Sequence, residues 1–307
     1  MATGKTKRGP LLFSGIYLTL LMACSIGILL FQFVIPREIS PVQPQEESIP
    51  VPSVESQMTE PQISEVEVPG QADAVPEITL STIRIFDTNV HIADIRIPDA
   101  SWLRTAIAND TYGRNIKQTV AEMAEANNAL LAINGDYFGF RDSGYVIRSG
   151  VLYREEIYDK DQEDLCIWPD GSMTVIRESD VPARALMDQG VQDVLSFGPA
   201  LVLNGEIQIS ESLAIGPYSD DNPRTAIGIV EPLHYLFVVS DGRTDQDKGL
   251  TPYQLAELMR DMGAQLVYNL DGGGSSTMVY EGEIINYPTA RGYWEERRVS
   301  DIVYIRR

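Results

Sequence analysis

The residue types best suited to chemistry in this sequence are carboxylates, arginines and glycines, and they cluster in four short polar segments. The segments cover residues 134–138, 222–228, 241–243 and 269–278. We interpret each as the continuation of an apolar strand. Connections at strand ends are where sheet scaffolds commonly display functional groups, so each segment is a candidate functional loop.

The segment at 269–278 is the most informative of the four. Its consecutive glycines, Gly272, Gly273 and Gly274, let the backbone approach a ligand closely and point N–H groups at an anion. Asp271 supplies a carboxylate before them, and two serine hydroxyls follow. One glycine would be enough for a tight turn, so the run favours a binding function. It is not a P-loop, because no Gly-Lys-Ser/Thr follows.

The other segments contain two carboxylates and two guanidinium groups. Asp136 and Asp241 lie in glycine-containing turns, where aspartate also occurs for structural reasons. Arg224 and Arg243 can act as planar clamps for phosphate, although a surface arginine has no such role by default. Each of these residues is a candidate whose role stays open at this stage.

Histidine and cysteine chemistry is largely excluded by the composition. The two histidines, His91 and His234, both lie in strand-like apolar patterns. A zinc site of the His-rich or Cys/His kind cannot be assembled, and a Ser-His-Asp triad would need one of these two residues. Cys24 and Cys166 have apolar neighbours, so we expect no disulfide between them, and Cys166 is expected to be a buried apolar residue rather than a reactive thiol. The sequence requires no cofactor; a divalent cation, with unknown ligands, stays open.

The chain carries a formal net charge of −20. So negative a surface repels nucleic acid and anionic lipid headgroups. Nucleic acid is therefore excluded as a partner, whereas a local cationic pocket can still bind an anion.

The first 77 residues indicate a membrane attachment followed by a linker. Residues 1–10 form a basic tail, and residues 11–35 form an uncharged apolar run long enough to span a bilayer. The positive-inside rule predicts a cytoplasmic tail and an extracellular remainder. The run is too long for a cleaved signal peptide, so we predict a single-pass signal anchor in the cell membrane. Lipidation of Cys24 is the alternative.

Residues 36–77 are rich in proline and glutamate, with eight prolines, nine acidic residues and no aromatic residue. Such a segment cannot bury enough apolar surface to offset its ordering entropy, so we predict a disordered linker. Residues 78–307 then form one domain, within the usual size range.

Hydrophobic periodicity in residues 78–307 indicates short strands and a few helices. Residues 82–86 and 91–97 alternate with the period of half-buried strands. One helix is predicted around residues 116–124, and another after Thr251, a plausible N-cap, with Pro252 at its first position. The predicted fold class is α+β, a single mixed-sheet domain with a few helices, preceded by a transmembrane helix and a disordered linker.

The order of the motifs resembles that of the phosphodiester glycosidase family, whose animal members uncover mannose 6-phosphate by removing N-acetylglucosamine. The resemblance covers most of residues 78–307. It is carried by Asn-Gly-Asp-Tyr-Phe at 134–138, Phe-Gly-Pro-Ala-Leu at 197–201, Asn-Pro-Arg-Thr-Ala-Ile-Gly at 222–228, Asp-Gly-Arg at 241–243 and the segment from Asn269 to Met278.

The resemblance implies cleavage of a sugar from a sugar-1-phosphodiester in a glycan, a wall polymer or an exopolysaccharide, by residues that line one pocket. The candidate catalytic residues are Asp136, Asp271 and Asp241. The candidate substrate- and phosphate-binding residues are Asn134, Arg224, Arg243, Asn269, Gly272, Gly273, Gly274, Ser275 and Ser276.

The composition is compatible with this reaction on chemical grounds. A phosphate monoester, with a second pKa of about 6, leaves without much help from an acid, so histidine is dispensable. The reaction needs a carboxylate at the anomeric carbon and fixed donors for the phosphate. Two alternatives remain, a metal-dependent phosphodiesterase and a non-catalytic module that binds cell-wall glycans.

Overall fold

The computed structural model describes residues 9–43, 74–211, 220–290 and 292–307. The α-helices are α1 (Gly9–Phe33), α2 (Val120–Ala126), α3 (Ala183–Asp188) and α4 (Pro252–Asp261). The strands are β1 (Arg37–Glu38), β2 (Glu77–Ile85), β3 (Thr88–Arg96), β4 (Leu103–Ile107), β5 (Gly113–Arg114), β6 (Ala129–Asn134), β7 (Val146–Arg148), β8 (Val151–Arg154), β9 (Glu163–Ile167), β10 (Met173–Arg177), β11 (Asp193–Leu195), β12 (Ala200–Leu203), β13 (Glu206–Ile207), β14 (Thr225–Glu231), β15 (His234–Ser240), β16 (Leu266–Asn269), β17 (Met278–Tyr280), β18 (Glu283–Ile284), β19 (Thr289–Ala290), β20 (Tyr293–Trp294) and β21 (Asp301–Arg306).

The described strands form three large sheets and two small ones. The largest has the order β13-β12-β16-β14-β15-β3-β2, and the other two large sheets have the orders β18-β17-β6-β21-β4 and β10-β9-β11-β7-β8. The α+β class with few helices is confirmed. The prediction of one mixed sheet needs correction, because the pairings within the described ranges are antiparallel and divide among several sheets. Many of the connections are short, and short connections can join only antiparallel neighbours.

The three large sheets share one hydrophobic core. Ile133 of β6, Leu165 of β9 and Phe237 of β15 are fully buried in the same cluster. On its other face the seven-stranded sheet is covered by α4, whose Leu255 and Met259 are also fully buried. The polar groups at the strand ends are therefore held on a rigid support.

Helices α2 and α4 begin where local capping signals stand. Thr251 caps α4 in a capping box with Gln254, and Pro252 is the first helical residue, as predicted. Thr119 and Glu122 form the same motif at α2. This cap makes the helix begin at Val120, so the start of the predicted helix, around residue 116, lies outside it.

The N-terminal segments are only partly described. Across the described ranges, no helix is long and apolar enough to cross a membrane, so the transmembrane segment at 11–35 stays a prediction. Residues 1–8 of the predicted tail and 44–73 of the predicted linker lie outside the described residues. Residues 37–43, assigned to the linker, contact the domain: β1 pairs with β5, and Val42 N–H donates to Leu152 O at 3.0 Å.

One end of the sheets collects most of the predicted polar segments. β6, β15 and β16 end there, and β14, β17 and β21 begin there. The interpretation that each polar segment follows a strand is wrong for 222–228, since Thr225 already belongs to β14. Antiparallel pairing brings the start of β14 beside the ends of β15 and β16, so this segment still reaches the same place.

Candidate active site

Each of the three consecutive glycines lies against an arginine. A side chain at Gly272 would meet Pro223 O at 2.9 Å and the backbone of Arg224 at 3.8 Å. At Gly273, which has φ +61°, a Cβ would lie 2.7 Å from Arg243 Nη2, and at Gly274 it would lie 3.4 Å from Arg297 Cδ. Backbone atoms of Pro223 leave no room for a side chain at Gly272, and the positive φ and the Arg243 guanidinium exclude one at Gly273, whereas a Cβ at Gly274 would meet only tight contacts of 3.3–3.4 Å.

Arg224 and Arg243 form a pair of neighbouring cations. Arg224 is buried, and its Nε and Nη2 donate to Leu250 O at 2.9 Å and to Asp220 O at 2.8 Å. Burial, and then the charge of Arg243, lower the pKa of Arg224 to about 10, so Arg224 stays charged at neutral pH. A bound anion would relieve the repulsion between them, which is the electrostatic requirement of a phosphate site.

Asp271 is the carboxylate next to this cationic loop. Its side chain is partly exposed, and burial raises its pKa to about 6 against the opposing effects of the Ser275 hydroxyl and the charge of Arg297. At neutral pH Asp271 is therefore ionised but close to titration. A carboxylate in this state can act as a nucleophile or as a base.

Asp136 lies in a buried network behind Asp271. Its Oδ1 accepts from Phe138 N–H at 2.8 Å, and its Oδ2 accepts from Arg148 Nη2 and Ser196 N–H, each at 2.9 Å. Arg148 also donates to Asp301 Oδ2 at 2.6 Å. The Asp136 side chain has no exposed surface, so its geometry favours a positioning role over direct contact with substrate.

Asp301 was not predicted from the sequence. Burial, and then the charge of Asp136, raise its pKa to about 7 in spite of Arg148. Within the described part of the chain, its Oδ1 is buried without a hydrogen-bond partner. Gly135 makes room for it, because a Cβ there would lie 2.5 Å from the Asp301 carboxylate.

Two contacts hold the Asp241 carboxylate. Its Oδ1 accepts from Tyr287 N–H at 2.7 Å, and its Oδ2 contacts His91 Nε2 at 3.2 Å. The carboxylate is buried. This arrangement favours a role in fixing the segment that begins at Tyr287, rather than the catalytic role considered from the sequence.

The two asparagines of the site have different surroundings. Asn134 donates to Asp271 O at 2.6 Å and accepts from Thr225 Oγ1 at 2.8 Å, so it joins three segments and is fully buried. Asn269 donates to Gly198 O at 2.9 Å, and its Oδ1 is buried without a partner among the described residues. Asn134 therefore braces the site, whereas Asn269 offers an acceptor.

The glycine loop folds as a short 3₁₀ turn, Gly273–Ser275. Gly273 N–H donates to Pro223 O at 2.8 Å, and the N–H groups of Ser275 and Ser276 donate within the turn. These three amides hold the loop and are not directed at a ligand. The Ser276 hydroxyl is buried without a partner in the described ranges, so it remains a candidate donor together with the amide of Gly274, whereas the Gly272 amide bonds to the Asp271 carboxylate.

A cavity of about 590 Å³ opens beside these residues. Arg224 and Asn269 line it together with Tyr137 and the residues 197–200. The volume is within the range of small-molecule sites. Two of the predicted binding residues therefore face one cavity, and the motif Phe-Gly-Pro at 197–199 forms part of its wall. The predicted aspartates, Arg243 and the glycine loop are not in the lining of this cavity, so the structure does not place all the predicted residues in one pocket.

Sequence reasoning missed three charged residues, Arg148, Asp301 and Arg297. Arg297 stands in a charged run that resembles a solvated surface, and Arg148 ends a short apolar strand. Of the three, only Asp301 could have been noticed in the sequence, because it is a lone acidic residue at the start of the apolar strand β21. In the ranges that the structure describes, no cluster of three or more His, Cys, Asp or Glu side chains is arranged to hold a metal ion.

Comparisons with known proteins identify relatives of this chain. A sequence model of the phosphodiester glycosidase family matches residues 127–306, more than half of the chain. The SPbeta prophage-derived uncharacterized protein YomE of Bacillus subtilis is 31% identical over 183 residues, which are 57% of this chain and 28% of that protein. Human N-acetylglucosamine-1-phosphodiester alpha-N-acetylglucosaminidase is 28% identical over 208 residues, 62% of this chain and 40% of the human protein.

A solved structure shares the fold. The catalytic domain of the zebrafish N-acetylglucosamine-1-phosphodiester alpha-N-acetylglucosaminidase superimposes with a TM-score of 0.61 at 22% identity, covering 78% of this chain and 85% of that domain. The match to the curated relatives spans well under half of their length. The family match over residues 127–306 shows that the chain belongs to the phosphodiester glycosidase family.

Proposed function

We propose that this chain is a hydrolase that cleaves the bond between C1 and the phosphate oxygen of sugar-1-phosphodiesters in glycans or wall polymers. The observation that carries the proposal is the loop in which three glycines lie against Arg224, Arg243 and Arg297, next to the partly exposed carboxylate of Asp271. The cations around this loop can bind the phosphate end of the scissile C1–O–P linkage, and the carboxylate can act at its C1 end. The human and mouse relatives are named for action on an N-acetylglucosamine-1-phosphodiester, which supports the same bond class here.

The reaction follows from the charges at the two ends of the linkage. Asp271 attacks C1, or removes a proton from the water that attacks it, and the C1–O bond breaks with its electron pair on the phosphate oxygen. The arginines stabilise the phosphate monoester that leaves. If water attacks directly, its proton goes to Asp271 and then to solvent; if Asp271 attacks, water hydrolyses the glycosyl ester in a second step.

Asp271 is the preferred carboxylate for this step because of its access. Asp136 and Asp241 are buried with both carboxylate oxygens engaged, whereas Asp271 retains exposed surface. The Asp136–Arg148–Asp301 network supports the loop from behind.

The test is turnover of N-acetylglucosamine-1-phosphodiesters by the purified protein, with phosphate-free aryl glycosides alongside. Asp271→Asn should retain the fold and lose turnover, while the matched variant Asp170→Asn, at an exposed carboxylate in the β9–β10 turn, should keep the parent rate. Glycan binding without turnover in the parent would favour the non-catalytic binding module instead.

We also propose that the enzyme acts at the cell surface, attached through residues 11–35. What supports this is the distribution of charge: Lys5, Lys7 and Arg8 precede the apolar run, and no acid occurs before residue 38. Protease added outside intact cells should digest the domain and leave the N-terminal tail intact. Protection of the domain, or its release as a shorter soluble form, would contradict this attachment.

A further inference from the structure

Helix α1 is bonded to the domain through its C-terminal end. The side-chain amide of Asn115 donates to Gln32 O and to Ile35 O, each at 3.2 Å. Carbonyl groups at the end of a helix have no partner within the helix, and here a residue of the domain supplies one. Strand β1 follows at once and pairs with β5. The connection between α1 and the domain is therefore a short tether, residues 34–36.

The domain is attached before the spacer rich in proline and glutamate, and not after it. Residues 44–73 follow β1 and precede β2, and both of these strands pair with other strands of the domain. A flexible spacer between α1 and the domain would let the domain reach targets far from α1. In the observed order of elements the spacer adds nothing to this reach, so the domain acts at the end of α1.

The surface of α1 is apolar on several sides. Leu20, Leu21 and Met22 are consecutive, point in different directions around the helix, and are each more than half exposed. A helix whose apolar side chains are exposed all round needs an apolar environment. A lipid bilayer provides one, which supports the attachment proposed above.

The cavity of the candidate active site lies beside the end of α1. Gln32 Nε2, in the last turn of α1, donates to Asp142 Oδ2 at 3.4 Å, and Asp142 Oδ1 pairs with Arg114 at 2.7 Å. The residue before Asp142, Arg141, lines the cavity together with Tyr137. With α1 in a bilayer, this side of the cavity is therefore at the end of the apolar helix, where the lipid headgroups lie.

The segments around the end of α1 differ in charge from the protein as a whole. Residues 37–39, 112–117 and 138–142 contain four basic and two acidic side chains, although the chain has a net charge of −20. Lys117 Nζ lies 5.9 Å from the centre of the Phe140 ring. This side of the domain therefore attracts phosphate groups at a membrane surface, whereas the protein as a whole repels them.

Arg224 links the cavity to the glycine loop. It lines the cavity, and its backbone would lie 3.8 Å from a Cβ at Gly272. A phosphate bound by Arg224 is thus at the point where the cavity meets the loop, and the alcohol on its far side can extend through the cavity toward Arg141. Pro199 and Ile209 form part of the lining, which suits a hydrocarbon chain next to the phosphate.

We propose that the substrate is a sugar joined through its 1-phosphate to a membrane lipid alcohol, and that it is cleaved in the bilayer. Such a lipid is itself a sugar-1-phosphodiester, so the chemistry is the same: water supplies a hydroxyl group to C1, the C1–O bond breaks, and the lipid phosphate monoester leaves with the remaining proton. This inference rests on the proposed function and on the attachment through residues 11–35.

The experiment uses the full chain reconstituted in phosphatidylcholine vesicles and two esters that contain the same scissile bond. The methyl ester of N-acetylglucosamine 1-phosphate dissolves in water, whereas the phytanyl ester of the same sugar phosphate partitions into the bilayer. The parent should cleave the phytanyl ester with a kcat/KM at least about tenfold higher, because enzyme and substrate are confined to one surface.

Two insertions separate attachment from docking. A semi-rigid spacer of about 20 prolines, about 60 Å long, is placed between residues 35 and 36, where it moves the domain away from α1. It should lower kcat/KM for the phytanyl ester at least about tenfold and leave the methyl ester unaffected. The matched control is the same insertion between residues 58 and 59, after β1, which should behave as the parent with both esters.

An equal kcat/KM for the two esters in the parent would overturn the inference, as would a phytanyl ester rate that the insertion in the tether leaves unchanged. A full chain that does not remain with the vesicles on flotation would overturn it as well, because the attachment on which it rests would be absent.

If neither ester is cleaved, the proposed function fails, and the position of the cavity relative to the bilayer is measured separately. A fluorophore on Lys117→Cys, in a Cys24→Ser background, reports energy transfer to a lipid labelled at its headgroup; Cys166 is buried. Transfer that falls with the insertion in the tether, but not with the insertion after β1, supports a site at the membrane. Equal transfer in all three proteins overturns it.

Discussion

The substitution Asp271→Asn should abolish activity and yet stabilise the protein at neutral pH. Burial raises the pKa of Asp271 from 3.8 to about 6. Between these two pH values the folded protein binds more protons than the unfolded chain, so the free energy of unfolding falls as pH rises through this window. Above pH 7 the folded state carries the full cost of a desolvated carboxylate, which asparagine does not have.

The expected stabilisation follows from the difference between the pKa values of Asp271 in the unfolded and the folded state. A change from 3.8 to about 6 corresponds to about 3 kcal/mol. Asp271 is partly exposed, so solvent screens part of the cost, and about 1–3 kcal/mol is the expected range. The variant and the parent should thus have similar stability near pH 4, and the variant should gain this amount by pH 8.

The assay is urea denaturation of both proteins at pH 4.5, 6 and 8. Asp301 titrates in an overlapping window because burial and Asp136 raise its pKa to about 7, so the difference between the two proteins is the quantity to plot. Independence of this difference from pH would refute the burial of Asp271. Equal activity of the two proteins would refute its catalytic role.

Three further predictions test the cationic loop and the contact with the N-terminal segment. Gly273→Ala places a Cβ 2.7 Å from Arg243 Nη2 and should lower kcat/KM for phosphodiesters at least about tenfold. The control is Gly282→Ala, which is also at positive φ but has no neighbour within 4 Å; it should leave kcat/KM unchanged. Arg224→Lys loses the planar fork and should lower phosphodiester turnover about ten- to a hundredfold, with much less effect on a phosphate-free aryl glycoside. Gly113→Val brings a side chain into β1, since even a Cβ would lie 1.9 Å from a backbone oxygen of that strand. This variant should make residues 37–43 sensitive to limited proteolysis. Unchanged digestion would contradict the docking of β1.

Local signals in the sequence identified the glycine loop and the start of α4. Thr251 and Pro252 define a helix start through contacts within four residues, and the glycine run signals close approach without reference to the rest of the chain. Arg224 and Arg243 were candidates from the sequence, but their contact with the glycines, and the part played by Arg297, could not be found in this way. They come from strands and hairpins that meet only in the folded domain.

The roles of the aspartates depended on contacts distant in sequence. Asp136 and Asp301 are 165 residues apart, and Arg148 joins them inside the protein. Asp241 is paired with His91 on a neighbouring strand. Neither partnership leaves a trace in spacing or periodicity, so the sequence presented three equivalent aspartates where the structure presents one accessible carboxylate and two engaged ones.

The central claim is that the C1–O bond is the one that breaks, and hydrolysis in water enriched in oxygen-18 tests it most directly. The purified protein is incubated with an N-acetylglucosamine-1-phosphodiester, and mass spectrometry locates the label in the products. Cleavage at C1, with Asp271 at the anomeric carbon and the arginines on the phosphate, predicts that the label enters the sugar and that the phosphate monoester is unlabelled. Label in the phosphate product would show attack at phosphorus and would contradict the account.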